Sequence, residues 1–127
     1  MGLLIGFVAG GIGAGIADLI AGYAQFAPLT LLAHGLQGLL VGLLGRDKKL
    51  PGMILAWLAG TVAMVGVYLL GEALVLGMGW GAALAEVPFN LLQNVVGGIV
   101  GIPLYLAVLK AYPPILRMGR AVTWDEE

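Results

Sequence analysis

Four long apolar stretches divide the chain, and the few polar residues inside them recur at helical rather than strand spacing. The first covers 2–24; roughly 23 residues at about 1.5 Å each reach about 35 Å, enough to cross a hydrocarbon core of about 30 Å. Within it Gly2, Gly6 and Gly10, then Gly11 and Gly15, recur every four residues, so one face is almost bare backbone and should lie against a neighbouring helix. Pro28, whose fixed φ suits a first helical turn, opens a second helix over 28–45. Past RDKKLPG, Pro51 leads into a third over 52–76. Gly77, Gly79 and Gly81 around Trp80 predict a flexible or re-entrant connection. Pro88 then opens a fourth helix over 88–111, bending at Pro103 and stopping before Pro113 and Pro114. Residues 1–112 are thus expected to form a bundle and 113–127 a cytoplasmic polar tail. The hairpin from Gly11 to Arg46 is the expected organising element, with the later helices as walls.

The polar positions sort by depth. Thr30, His34 and Gln37 stand at i, i+4 and i+7, as do Glu86, Asn90 and Gln93, while Tyr68 and Glu72 are i and i+4, so each set faces one direction. With Asp18 and Asn94 they fall in one half of the bundle, and the other half is almost purely apolar. An intramembrane carboxylate costs about 2.5 to 3.5 kcal/mol on insertion scales, so Asp18 and Glu72 should face protein or water. Convergence of four polar stripes predicts an outward cavity formed by all four helices, with the 77–87 connection or the 22–28 turn as a lid. The plainer reading has Asp18 pairing with His34 or capping a helix, and Asn90, Gln93 and Asn94 serving as hydrogen-bond glue.

Composition narrows the class. In 127 residues, 61% are hydrophobic and 10% charged, against about 25% charged in soluble domains, and the mean hydropathy is +1.03. This reads as an all-α membrane protein, a Gly-rich bundle of four transmembrane helices. If the 46–51 loop is cytoplasmic, all six Lys and Arg (Arg46, Lys48, Lys49, Lys110, Arg117, Arg120) share that side and both termini are cytoplasmic. Tyr23, Tyr68 and Trp80 then lie toward the outer interface, and Trp57, Tyr105 and Tyr112 toward the inner. A net charge of −1 gives no nucleic-acid footprint. Without cysteine, and with one histidine, thiol chemistry is excluded and neither a metal site nor a cofactor is expected. A pocket holding amides, an imidazole, carboxylates and aromatics but no Lys or Arg suits a small neutral or weakly basic polar heterocycle better than a phosphate.

The segments GLLIGFVAGGIGAGIADLIAGYAQFAPLTLLAHGLQGLLVGLLGR, ILAWLAGTVAMVGVYLLGEALV and AALAEVPFNLLQNVVGGIVGIPLYLAVLK resemble the substrate-binding S components of energy-coupling factor (ECF) vitamin transporters. The P-x-N-L-x-Q-x-x-x-G element, here Pro88, Asn90, Leu91, Gln93 and Gly97, is the most specific part. The look of GYAQFAPLTLLAHGLQGL is nearest the branch for hydroxymethylpyrimidine and vitamin B6-type precursors. The resemblance implies a multi-pass inner-membrane protein that captures a vitamin from outside and delivers it by toppling while docked on a transmembrane coupling subunit driven by two cytoplasmic ATPases, with no enzymatic activity of its own. Asp18, His34, Gln37, Glu72, Asn90 and Gln93 match the outer-half positions that bind ligand in the family; Tyr23, Trp80 and Asn94 complete the candidate substrate-binding set. The resemblance implies a six-helix protein, so the four helices here would correspond to its third to sixth, and the AxxxA surface by which the family's first helix meets the coupling subunit is not expected among these residues. The bare glycine face of helix 1 would then be exposed and favour a homo-oligomer. The alternative is a structural or self-assembling bundle without a ligand.

Overall fold

A computed structural model describes residues 2–45 and 48–115, with side chains from residue 4 onward. Among the described residues there is no strand. Four helices are long and apolar enough to cross a membrane: α1 (Gly2–Ala21), α2 (Ala27–Gly45), α3 (Leu50–Leu70) and α4 (Gly79–Ala111). Arg46, Asp47, Arg117, Arg120 and the tail beyond Ile115 lie outside the described residues.

α1 ends three residues before the expected position. Gly22 takes φ 86°, its N–H approaches the Leu19 carbonyl at 3.4 Å, and the Tyr23 N–H donates to the Asp18 carbonyl at 2.8 Å. This left-handed glycine cap satisfies carbonyls the helix would otherwise leave open. α3 runs on into one π-helical turn, Gly71–Val75, closed by the Leu76 N–H on the Gly71 carbonyl at 2.9 Å. The chain then reverses at Gly77 and Gly79, with φ 67° and 80°.

The largest departure from expectation is at the start of α4. Residues 79–87 are helical, so Pro88 and Pro103 both sit inside one 33-residue helix, and the stretch expected as a mobile lid is a helix from Gly79 onward. GWGAALAEV contains good helix formers, and their helical preference outweighs the single hydrogen bond that Pro88 cannot make. At about 1.5 Å per residue α4 is about 50 Å long, well beyond a hydrocarbon thickness of about 30 Å.

The helices pack in sequence order, α1 on α2, α2 on α3 and α3 on α4. α3 is the centre. Its buried residues Met53, Ala56, Gly60, Thr61, Met64 and Tyr68 form one stripe, and Met64 and Tyr68 meet Ala33 of α2 in the apolar core, flanked by Leu29, Val65 and Val67. The two helices of the 11–46 hairpin share the largest helix–helix contact of the bundle, and the hairpin packs onto the α3 stripe through α2. Large apolar side chains over the rest of the surface, such as Ile20, Val62 and Val75, are exposed, as helices facing lipid require.

The glycines of α1 are used within the chain. A Cβ on Gly10 would stand 2.6 Å from the His34 carbonyl oxygen and one on Gly11 2.6 Å from that of Leu31, and Gly6 and Gly38 meet backbone to backbone. The face expected to be exposed is covered by α2, which removes the glycine argument for a homo-oligomer.

Candidate functional site

Helical spacing brings the polar stripes of α1, α2 and α3 together at the end of the bundle remote from the α2–α3 loop. The Thr30 hydroxyl donates to Asp18 Oδ2, and the Tyr68 hydroxyl donates to Thr30 Oγ1 at 2.7 Å. Thr30 and Tyr68 are both buried. Asp18 thus finds its partner in Thr30, not in His34, and three helices are tied by one short chain of hydroxyls ending on a carboxylate. An accepting carboxylate of this kind is far less costly in the membrane than a bare one.

A second network lies one turn deeper and joins α2, α3 and α4. His34 Nδ1 is 3.2 Å from Gln37 Oε1, and Gln37 Nε2 donates to Asn94 Oδ1. Asn94 is 4% exposed and every polar atom of its side chain is engaged. Its Nδ2 donates to the Asn90 carbonyl at 3.0 Å and approaches Met64 sulfur at 3.7 Å. The Thr61 hydroxyl has the Trp57 carbonyl at 2.8 Å and Asn94 Oδ1 at 3.2 Å, and its single proton can serve one of them at a time. The Trp57 indole N–H donates to the Asn94 carbonyl at 3.2 Å. Gly98 permits this, since a Cβ there would stand 2.7 Å from the indole. Trp57, expected in an interfacial belt, is instead a bridge between α3 and α4.

The two networks meet at His34 and Tyr68, whose rings stand edge to face with centroids 6.0 Å apart. Glu72, one turn past Tyr68 on the same face of α3, is 3% exposed. The π-helical turn carries it inward, where its Oε2 is buried without a hydrogen-bond partner, as is His34 Nε2. Glu86 is exposed on the first half of α4.

Of the nine residues expected to bind substrate, the structure brings Asp18, His34, Gln37, Glu72 and Asn94 into this assembly. Asn90 joins through its backbone carbonyl. Gln93 is exposed beside buried Asn94, so the polar stripe of α4 is Asn90–Asn94 rather than Glu86–Asn90–Gln93. Trp80, in the first turn of α4, and Tyr23, in the α1–α2 connection, are both exposed, and Tyr23 stands edge to face with Phe26 at 6.4 Å. Thr61, Met64 and Trp57 were not among the expected site residues. Their signal was present, because 57, 61, 64 and 68 fall at i, i+4, i+7 and i+11, the same helical face as Tyr68. Among the described residues no group of His, Asp and Glu is placed to hold a metal. An apolar groove of about 400 Å³ runs between α1 and α2, lined by residues such as Ile12, Ile16, Leu19 and Leu31, and none of the candidate polar residues reaches it.

Comparison with known proteins adds an independent line. The family model described as ECF-type riboflavin transporter, S component, matches residues 1–110. An uncharacterized protein from a gap 3′ region of Pyrococcus woesei is 36% identical over 117 residues, 91% of this chain and 76% of that protein. The thiamine precursor transporter HmpT of Lactococcus lactis subsp. cremoris is 36% identical over 93 residues, 73% of this chain and 51% of HmpT. The chain thus matches about half the length of that relative. No solved structure matches.

Proposed function

The chain belongs to the S-component family of ECF-type transporters, and on that premise we propose that it binds a small pyrimidine or pyridine vitamin precursor, hydroxymethylpyrimidine or a vitamin B6-like compound, for uptake. S components are multi-pass membrane subunits of vitamin and precursor uptake systems, and this chain's four apolar helices fit that role. The observation that carries the finer reading is the polar assembly of Asp18, Thr30, His34, Tyr68 and Glu72. It gathers side chains from three helices toward one end of an otherwise apolar bundle and includes no Lys or Arg. Such a set suits a small polar heterocycle, with the Tyr68 ring available for edge or face contact. The relationship to a thiamine precursor transporter supports the pyrimidine class.

The ligand enters from the external side, because the assembly lies at the end opposite the basic 46–51 loop. Delivery requires a transmembrane coupling subunit and two cytoplasmic ATPases, as in other ECF transporters. The test is thermal unfolding of the purified chain against a panel of B-group vitamins and their pyrimidine and pyridine precursors. A ligand at 100 times its Kd should stabilise by about 2.7 kcal/mol, with the shift lost in His34→Ala. A panel without any shift would leave a structural bundle as the better reading.

A structural role is favoured by specific contacts for one pair of residues. The Asn94 side chain and both ends of the Gln37 amide are engaged inside the protein, so these two hold α2, α3 and α4 together whatever else the assembly binds.

A further inference from the structure

The hydrogen bonds of the deeper network have a direction, and it is set by a group that has no choice. A backbone carbonyl only accepts, so the Asn94 atom 3.0 Å from the Asn90 oxygen is the Nδ2 amide. Turning Asn94 over would set two oxygens against each other. Asn94 Oδ1 therefore faces Gln37, and the Gln37 atom bonded to it has to be the amide nitrogen. That leaves Gln37 Oε1 toward His34, 3.2 Å from Nδ1. An amide oxygen cannot donate, so Nδ1 carries the proton. In a neutral imidazole with Nδ1–H, Nε2 is a bare acceptor. Nε2 is buried and unpartnered, and so is Glu72 Oε2, one turn past Tyr68 along the chain.

We propose that this relay, from the Asn90 carbonyl through Asn94 and Gln37, fixes His34 as an acceptor, and that His34 Nε2 and Glu72 Oε2 together form a subsite selecting a ligand that offers hydrogen-bond donors on two sides, such as an amino-substituted heterocycle bearing a hydroxymethyl group. The inference rests on the ligand-binding reading given above and adds to it the polarity of recognition. Two further observations support it. Glu72 is 3% exposed with an unpaired carboxylate oxygen, an arrangement that favours an incoming N–H or O–H. Asp18, the carboxylate of the neighbouring hydroxyl chain, is an acceptor as well, and the described lysines, Lys48, Lys49 and Lys110, belong to the other end of the helices. Gln37 is a positioning residue here, acting on the ligand through His34.

The chain has one histidine, so histidine labelled with ¹⁵N and ¹³C gives a single imidazole signal set, which NMR of the protein in lipid nanodiscs can assign to a tautomer. The free protein should show Nδ1–H with unprotonated Nε2, and Gln37→Leu should abolish that preference while the helical signal in circular dichroism is retained. An Nε2–H tautomer in the wild type, or an unchanged tautomer in Gln37→Leu, would overturn the relay even if ligands bind. The second arm compares an aminopyrimidine carrying a hydroxymethyl group with its counterpart having methyl in place of amino. The amino compound should bind about 10- to 100-fold more tightly, as expected when a buried acceptor is left without its donor, and its binding should shift the Nε2 resonance. Equal affinities would overturn the acceptor subsite while leaving ligand binding intact. Binding of neither compound, with the expected tautomer present, would overturn the proposed ligand class and the binding reading on which it rests.

Discussion

The α1–α2 seam and the α3–α4 seam join apolar helices in opposite ways. α1 and α2 meet backbone to backbone: Gly6 lies on Gly38, and Gly10 and Gly11 lie under the carbonyls of His34 and Leu31. α3 and α4 share a smaller contact, held by the Trp57 indole on the Asn94 carbonyl and by the Thr61 hydroxyl beside Asn94 Oδ1. Lipid removes the hydrophobic drive for one helix to join another, which leaves close van der Waals packing and interhelical hydrogen bonds as the means of association. The first seam uses packing and tolerates no added atom. The second uses polar groups, with close approach confined to Gly98 against the Trp57 indole. The polar assembly sits between them, on the close-packed α1–α2 pair on one side and the hydrogen-bonded α4 on the other.

This contrast can be broken most forcefully at Gly38. Gly38→Leu must push α1 off α2, and we expect a loss of about 3 kcal/mol or more, read as the midpoint of unfolding in mixed micelles; wild-type stability would refute the backbone seam. Asn94→Ala attacks the other side, leaving Gln37 and Thr61 without their shared partner. A loss of about 1 to 2 kcal/mol is expected, with faster hydrogen exchange in α4 than in α1, and uniform exchange in all helices would contradict the division into two seams. Trp57→Phe removes one hydrogen bond while keeping most of the ring, so about 0.6 kcal/mol is expected by the same assay. Gly13→Ala is the sharpest control. A Cβ at Gly13 meets nothing within 4 Å, so alanine should be neutral or stabilise by up to about 1 kcal/mol through helix propensity, and a clear loss would place Gly13 in a packed seam.

Much of the architecture was legible along the chain, and the departures have identifiable causes. Pro51 falls in the first turn of α3 as expected, yet Pro88 does not start α4, because the good helix formers Ala82, Ala83, Leu84, Ala85 and Glu86 precede it. α1 ends at Ala21 rather than 24 because Gly22 adopts the left-handed cap. In the site, the i, i+4, i+7 spacing of Thr30, His34 and Gln37 placed all three on the inward face of α2. The same rule chose the wrong stripe on α4, where Gln93 and Asn94 are adjacent and the sequence offers no means of telling which one points at α3.

The sequence by itself determined that this chain makes four membrane-length helices, because each helix satisfies its own backbone hydrogen bonds and the length and hydropathy of a span are local properties. It also determined the family, through motifs spread over most of its length. The tertiary structure decided which polar groups meet and in which direction their hydrogen bonds run. Gln37 and Asn94 are 57 residues apart, and their meeting depends on how α2 and α4 are rotated about their own axes. That rotation is set by where the glycines let backbones approach and by which neighbour each face finds, and it is visible only when all the helices are in place.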